Sequence, residues 1–201
     1  MNYLAHIYLA DTSNTSLVGN FLGDFVKGNL KEQYPEQIMF GIKLHRKIDA
    51  FTDAHPIVLK SKRRLPQTFR RFTGIVIDIL YDHFLAKHWK QFHTIPLQQF
   101  SYAFYKDLFK QLLLLPRPVQ KLYPFMVQQN WLTEYETLPG IYRTFNRLSH
   151  RFSRVTPLDQ VQELQHKLLT DLEEDFHLFF HELTEYVLNE AQKPRLVPST
   201  S

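Results

Sequence analysis

Apolar side chains recur at steps of three and four residues near the C-terminal end of the chain. A helix repeats every 3.6 residues, so this spacing puts them all on one face. We therefore predict a single long helix over residues 158–192. Its apolar stripe comprises Val161, Leu164, Leu168, Leu172, Phe176, Phe179, Leu183 and Val187.

The rest of the chain also predicts helices, since no segment shows the alternating apolar and polar pattern of a strand. Prolines mark several helix ends; Pro56, for example, disfavours helical geometry at His55. The expected helices span 2–10, 14–23, 36–53, 58–65, 69–90, 97–115, 119–131 and 139–152. The predicted fold class is all-α, a single-domain multi-helix bundle over residues 1–193, with a disordered tail at 194–201.

The composition agrees with one compact helical domain. Apolar residues make up 44% of the 201 residues, and 17 Phe against 6 Gly favour a large core. The absence of Cys excludes disulfides, thiolate zinc sites and cysteine nucleophiles, and it suits a reducing compartment. No apolar run is long enough for a membrane span, and the first residues lack a signal-peptide pattern. We therefore expect a cytoplasmic protein.

Carboxylates and imidazoles recur at helical spacing in apolar surroundings within the first 85 residues. His45 and Asp49 lie four residues apart, as do Asp78 and Asp82, so each pair shares a helix face. A carboxylate among apolar neighbours is costly unless its charge is compensated, and a divalent metal would compensate it. The candidate residues are His6, Asp24, His45, Asp49, Asp53, Asp78, Asp82 and His83.

Each candidate has a simpler explanation when it is taken alone. His6 could be a core histidine bonded to a carbonyl, Asp24 a helix cap, and Asp49 the ion-pair partner of Arg46 or Lys47. Taken together, mixed imidazole and carboxylate ligands favour Mn, Mg or Fe over structural zinc. Such a metal can activate water for attack on phosphorus. The chain has no Walker phosphate loop, His-Glu-x-x-His helix or nucleophile elbow.

Positive charge is concentrated in residues 60–71, which hold six cations. Such a run is often a solvated helix face, and the alternative is a docking patch for an acidic partner. The candidate partner-binding residues are Lys62, Arg63, Arg64, Arg70 and Arg71.

Four sequence blocks closely resemble the acyl carrier protein phosphodiesterase family. The blocks are residues 1–6, residues 19–28, residues 41–49 with 52–53, and Asp78 followed by 82–85 and 88–89. They keep that family's order and spacing over about the first 90 residues, with Tyr3 and Gly23 as mild departures. Later helices match more loosely, around Trp131 and Tyr135.

The resemblance implies an all-helical fold related to the HD phosphohydrolases, with Asp82-His83 in place of the His-Asp pair. It implies a hydrolase dependent on manganese, with Mg²⁺ or Fe²⁺ as other candidates, that removes 4′-phosphopantetheine from acyl carrier protein. The metal ligands carried over are His6, Asp24, His45, Asp78, Asp82 and His83. Asp49 and Asp53 are then the candidates for catalytic or supporting roles.

Two other functions stay open on the residues alone. A related phosphohydrolase could act on nucleotides, with Phe51, Tyr81 or Phe84 stacking on the base. A non-catalytic helical module could instead bind an acidic partner through its basic residues. We expect acyl carrier protein as the partner, because carrier proteins are strongly acidic, and we expect neither nucleic acid nor a membrane span.

Overall fold

The computed structural model describes residues 1–30, 33–152 and 155–193, and within these ranges the chain is helical without strands. The all-α prediction is confirmed. The α-helices are α1 (Tyr3–Thr12), α2 (Leu17–Leu22), α3 (Glu36–Ala54), α4 (Pro56–Arg64), α5 (Thr73–Lys87), α6 (Trp89–Phe92), α7 (Leu97–Lys110), α8 (Arg117–Gln128), α9 (Trp131–Glu134), α10 (Leu138–Ser149) and α11 (His166–Gln192). Three 3-10 turns lie at Gln67–Phe69, Leu112–Leu114 and Pro157–Glu163. The expected tail at 194–201 lies outside the described residues.

The final helix is shorter than predicted. It begins at His166, because Leu164 and Gln165 have extended backbone and separate α11 from the preceding 3-10 turn. That turn still buries Leu158 and Val161. An apolar spacing of about three residues therefore also fits a 3-10 turn packed against a neighbour, in this case α10.

The predicted helix over 69–90 is likewise interrupted. The structure has a 3-10 turn ending at Phe69, then α5, then the short α6, with His88 between the two helices. Similarly, α7 ends at Lys110 rather than continuing to residue 115.

The core forms where α11 packs against α1, α3, α4 and α5. Phe176 of α11 lies against Tyr81 and Phe84 of α5, with ring centroids 5.5 Å and 5.9 Å away. All three rings are buried, and burial of such large rings is the main stabilising contribution in a bundle of this size. Within the described ranges, no helix combines the length and apolar character needed to cross a bilayer.

Helix α2 lies directly on α3 because glycines face each other at the contact. A Cβ atom added to Gly19 would lie 2.5 Å from the Ile38 carbonyl oxygen, and one added to Gly41 would lie 2.8 Å from the Ser16 carbonyl oxygen. Only glycine allows so close an approach. The packing brings Asn20 and the turn after α2 beside the polar side chains of α3.

Candidate metal centre and adjoining pocket

Helices α1 and α3 bring two imidazoles onto one carboxylate. His6 Nε2 lies 3.1 Å from Asp49 Oδ1, and His45 Nε2 lies 3.0 Å from Asp49 Oδ2. The two imidazole rings stack with centroids 3.8 Å apart. One ligand atom from each of the three side chains falls within 4.8 Å of the other two, so these residues form a candidate metal centre.

The neighbouring residues of Asp49 on α3 do not provide the ion pair considered as an alternative. Arg46 donates to the carbonyl oxygens of Val26 and Gly28, and Lys47 pairs with Glu190. The charged groups nearest the Asp49 carboxylate are therefore the two imidazoles and, at 3.9 Å, the Met1 ammonium, and about two fifths of its side-chain surface remains open to solvent.

His45 fits into the centre because a glycine lies against its ring. A Cβ atom on Gly23, just after α2, would lie 2.1 Å from Cγ of His45. Any side chain at this position would displace the imidazole. Gly23 therefore leaves the space that the His45 ring occupies.

The other nitrogen of His6 is held by Asn20. Nδ1 of His6 lies 3.1 Å from Asn20 Oδ1, so Nδ1 carries the proton and donates it to the amide oxygen. His6 Nε2 faces an oxygen of Asp49, and this contact is favourable when a proton or a cation lies between the two atoms. A cation in that place is the arrangement expected at a metal-binding imidazole.

The electrostatics favour a neutral imidazole beside an ionised carboxylate. Burial, and then the neighbouring His45, lower the pKa of His6 to about 4. Burial alone would raise the pKa of Asp49, but hydrogen bonds with His45 and His6 bring it well below its usual range. Neutral imidazole and ionised carboxylate are the forms that bind metals.

Two further carboxylates border the centre. Asp24 Oδ1 lies 3.7 Å from His45 Nε2, and burial raises the pKa of Asp24. Asp78 Oδ1 lies 3.0 Å from the Met1 amine, which in turn lies 3.9 Å from Asp49 Oδ1. Asp24 is therefore beside the imidazoles, whereas an ammonium group separates Asp78 from Asp49.

A pocket of about 660 Å³ opens beside these carboxylates. Asp24 and Asp78 line it together with the first residues of the chain, and α8, α9 and α10 also contribute to the lining. Their apolar side chains there include Leu122, Trp131 and Leu148. The volume falls within the range of about 300–1,000 Å³ typical of small-molecule sites.

Comparison with known proteins identifies the family, because a model of the acyl carrier protein phosphodiesterase family matches residues 1–183. The chain belongs to this family. A relative from Pectobacterium atrosepticum, named acyl carrier protein phosphodiesterase, is 35% identical over 180 residues, which cover 89% of this chain and 90% of the relative. One of the same name from Photorhabdus laumondii is 32% identical over 194 residues, or 96% of each chain. No solved structure matches significantly, so the relation to HD phosphohydrolases stays a prediction.

The donor atoms of His6, His45 and Asp49 lie close enough together to bind one divalent cation, since each is within 4.8 Å of the other two. His6 has the outer hydrogen bond that orients a metal-bound imidazole, because its Nδ1 donates to Asn20 Oδ1. His45 lacks one, because its buried Nδ1 has no partner within the described part of the chain.

The structure does not bring Asp82 and His83 into this phosphodiesterase-family centre. The Asp82 carboxylate accepts hydrogen bonds from the backbone N–H groups of Asn2, Leu4 and Ala5, at 3.3, 2.7 and 3.2 Å. His83 Nδ1 donates to the Tyr135 carbonyl oxygen at 2.7 Å. Asp82 thus caps the N-terminus of α1, and His83 ties α5 to the segment after α9.

Asp53 also lies outside the centre. It is exposed and pairs with Lys62 at 2.8 Å. A role for Asp53 in proton transfer at the centre has no support in this geometry.

The basic residues 60–71 divide into two groups. Arg64 is committed to Asp171 and Asp175 of α11, at 3.0 Å each, and Lys62 is committed to Asp53. Arg63, Arg70 and Arg71 are exposed, and no ion pair involves them within the described ranges. The latter three are the cations left for a partner.

Asn20, beside the centre, was not predicted from the sequence; it is fully buried, and an amide between Gly19 and Phe21 was the available signal. A separate group of possible ligands comprises His88, Glu173 and His177, which the sequence did not bring together. There, Lys87 contacts both Glu173 oxygens, at 2.7 Å and 2.9 Å, and already supplies a cation.

Proposed function

We propose that the chain hydrolyses the phosphodiester bond linking 4′-phosphopantetheine to acyl carrier protein, giving apo carrier protein and 4′-phosphopantetheine. Family membership supports the substrate, since the curated relatives carry the name acyl carrier protein phosphodiesterase. The structural observation that supports the chemistry most directly is the convergence of two imidazoles on one carboxylate, with Asp24 of the adjoining pocket 3.7 Å from His45.

We propose His6, His45, Asp49 and Asp24 as the residues that hold a divalent cation. Mn²⁺ is the first candidate, with Mg²⁺ or Fe²⁺ as alternatives, because the donor set mixes imidazole and carboxylate. Bound there, the cation would neutralise the phosphodiester charge and make a water molecule a better nucleophile. Asn20 orients His6 for this task.

Asp78, Asp82 and His83 have supporting roles in this proposal. Asp78 holds the Met1 amine beside Asp49, and Asp82 holds the first turn of α1, which carries His6. His83 fixes the segment that ends in Tyr135, a pocket residue. In this proposal none of the three contacts the cation; they hold the residues and backbone around it in place.

The test is incubation with holo carrier protein, read by intact mass. We expect loss of the prosthetic-group mass in the presence of Mn²⁺, none after chelation, and recovery when Mn²⁺ is restored. His45→Ala should lower both bound Mn²⁺ and turnover by at least tenfold, as losing a metal ligand does. His181→Ala, exposed on α11, is the matched control and should behave as the wild type. Turnover that survives chelation and His45→Ala would refute the metal mechanism.

The alternative of a nucleotide phosphohydrolase required Phe51, Tyr81 or Phe84 to stack on the base, and none of these aromatic side chains is placed to do so. Tyr81 and Phe84 are buried in the core, and Phe51 stacks on Tyr186 at a centroid distance of 4.3 Å. None of them lines the pocket beside Asp24. The same mass assay with a nucleotide substrate in place of holo carrier protein provides the comparison.

A further inference from the structure

The pocket beside the candidate centre has a chemically mixed lining. Asp24 and Asp78 belong to it, and so do the apolar side chains of Leu122, Phe125 and Trp131. A phosphodiester placed beside the carboxylates would have its organic substituent in the same pocket as these apolar side chains. The pocket therefore offers space for a chain attached to the phosphate.

The pocket suits a mainly apolar chain that carries a few amide groups. Pantetheine has this composition, with a geminal dimethyl group and short methylene segments between two amides. The apolar side chains of α8 and α9 match the methyl and methylene groups, and Gln129 and Thr144 provide polar groups in the same lining. The Gln129 side chain is held in place, because its Oε1 accepts a hydrogen bond from Trp131 Nε1 at 2.8 Å.

Two arginines put positive charge on the pocket wall. Arg147 stacks over Trp131, 5.2 Å from the ring centroid, and Arg151 lies one turn further along the chain. Glu134 pairs with both Arg143 and Arg147, so this group of three keeps one net positive charge. An anionic ligand would meet a cationic surface here.

Arg151 lines the same pocket as Tyr3, Asp24 and Asp78. Burial raises the pKa of the Tyr3 hydroxyl to about 12, with Asp24 adding to the rise and Arg151 opposing it, so both charges act on this hydroxyl. A phosphate bound beside Asp24 would therefore share the pocket with the Arg151 guanidinium.

We propose that this pocket binds the pantetheine arm of the substrate and that Arg151 contacts its phosphate. The assignment rests on the proposed function, because it presumes that the arm is part of the substrate. It adds a specificity site to the centre: α8 and α9 recognise the organic arm, and the Arg151 guanidinium recognises the charge of the phosphate.

Calorimetry with 4′-phosphopantetheine, in the presence of Mn²⁺, tests the site independently of turnover. Arg151→Ala should weaken binding of 4′-phosphopantetheine about tenfold, as loss of one charge-assisted hydrogen bond implies, and leave pantetheine without the phosphate unaffected. Arg151→Lys should recover part of the affinity. Phe125→Ala should weaken both ligands, whereas Phe109→Ala, an equally exposed change on α7, should weaken neither.

The outcomes separate this inference from the proposed function. If wild-type protein binds 4′-phosphopantetheine in the expected variant pattern but does not release it from holo carrier protein, the pocket assignment is supported and the function is wrong. If wild-type protein releases it while Arg151→Ala and Phe125→Ala bind it as the wild type does, the function stands and the pocket assignment is overturned. Absence of binding to wild-type protein also overturns the assignment.

Discussion

The Asp82 carboxylate lies at the N-terminus of α1, where it accepts hydrogen bonds from three backbone N–H groups. Helix termini leave such groups without intrahelical partners, so a buried acceptor is needed there. Burial raises the pKa of Asp82 to about 7. Because α1 carries His6, this single residue supports the candidate centre without belonging to it.

We predict that Asp82→Ala lowers the free energy of unfolding by about 3 kcal/mol, because three backbone N–H groups, two of them buried, lose their acceptor. Asp82→Asn keeps one acceptor oxygen and should lose less. Urea unfolding measures both changes, and metal analysis accompanies it. Asp82→Asn should retain its bound Mn²⁺; if it lost the ion while keeping wild-type stability, Asp82 would be a ligand after all.

At the scale of elements, the centre depends on how closely the end of α2 approaches α3. Gly19 and Gly41 allow the two helices to touch, and Gly23 allows the following turn to lie on the His45 ring. These contacts set the position of His45 relative to His6, which comes from a third helix. A small displacement of α2 would therefore separate the two imidazoles.

We predict that Gly23→Ala lowers Mn²⁺ affinity at least tenfold, because its Cβ would lie 2.1 Å from the His45 ring. The overpacking should also reduce the free energy of unfolding by about 1–3 kcal/mol. Titration with Mn²⁺ and urea unfolding provide the measurements.

Gly74→Ala is the matched control for that change. Its Cβ would meet nothing within 4 Å, and it lies within α5. Since alanine favours a helix over glycine by about 0.5–1 kcal/mol, this variant should keep its metal and gain slightly in stability. Equal Mn²⁺ affinity in the two variants would show that the Gly23 contact does not position His45.

At the scale of the whole molecule, some basic residues of 60–71 form ion pairs that connect helices, and others are exposed at the surface. Arg64 connects α4 to α11 through Asp171 and Asp175, and Lys60 also pairs with Asp175. Arg63, at the end of α4, and Arg70 and Arg71, between α4 and α5, remain exposed. Since α5 carries Asp78 at the pocket, we propose that these arginines attract an acidic carrier protein toward it.

We predict that Arg70→Glu with Arg71→Glu lowers kcat/KM for holo carrier protein at least tenfold at low salt. The loss should shrink at physiological ionic strength, where charges are screened beyond about 8 Å. Hydrolysis of bis(p-nitrophenyl) phosphate, a small diester that needs no docking, should be unchanged.

Arg64→Glu, the comparison variant, should instead lower the free energy of unfolding, because it breaks the ion pairs with Asp171 and Asp175 of α11. Equal loss on both substrates in the double variant would refute docking.

The helical class could be predicted from the chain alone, because side-chain periodicity is a local property that survives in any tertiary setting. The pairing of His45 with Asp49 could be predicted for the same reason, since four residues make about one helical turn. Helix breaks such as the one before α11 could not be predicted from the sequence. Leu158 and Val161 continue the apolar spacing, and only packing against α10 shows that they belong to a separate 3-10 turn.

The roles of the carboxylates were decided by partners far away in the chain. Asp49 and Asp82 both lie four residues after another candidate ligand, His45 and Asp78 respectively, so helical spacing made both of them candidates. Folding places Asp49 against His6, 43 residues earlier, and Asp82 against the backbone of α1, 78 residues from Leu4. A carboxylate's chemistry depends on which groups share its dielectric environment and neutralise its charge. That environment exists only once α1, α3 and α5 have packed together.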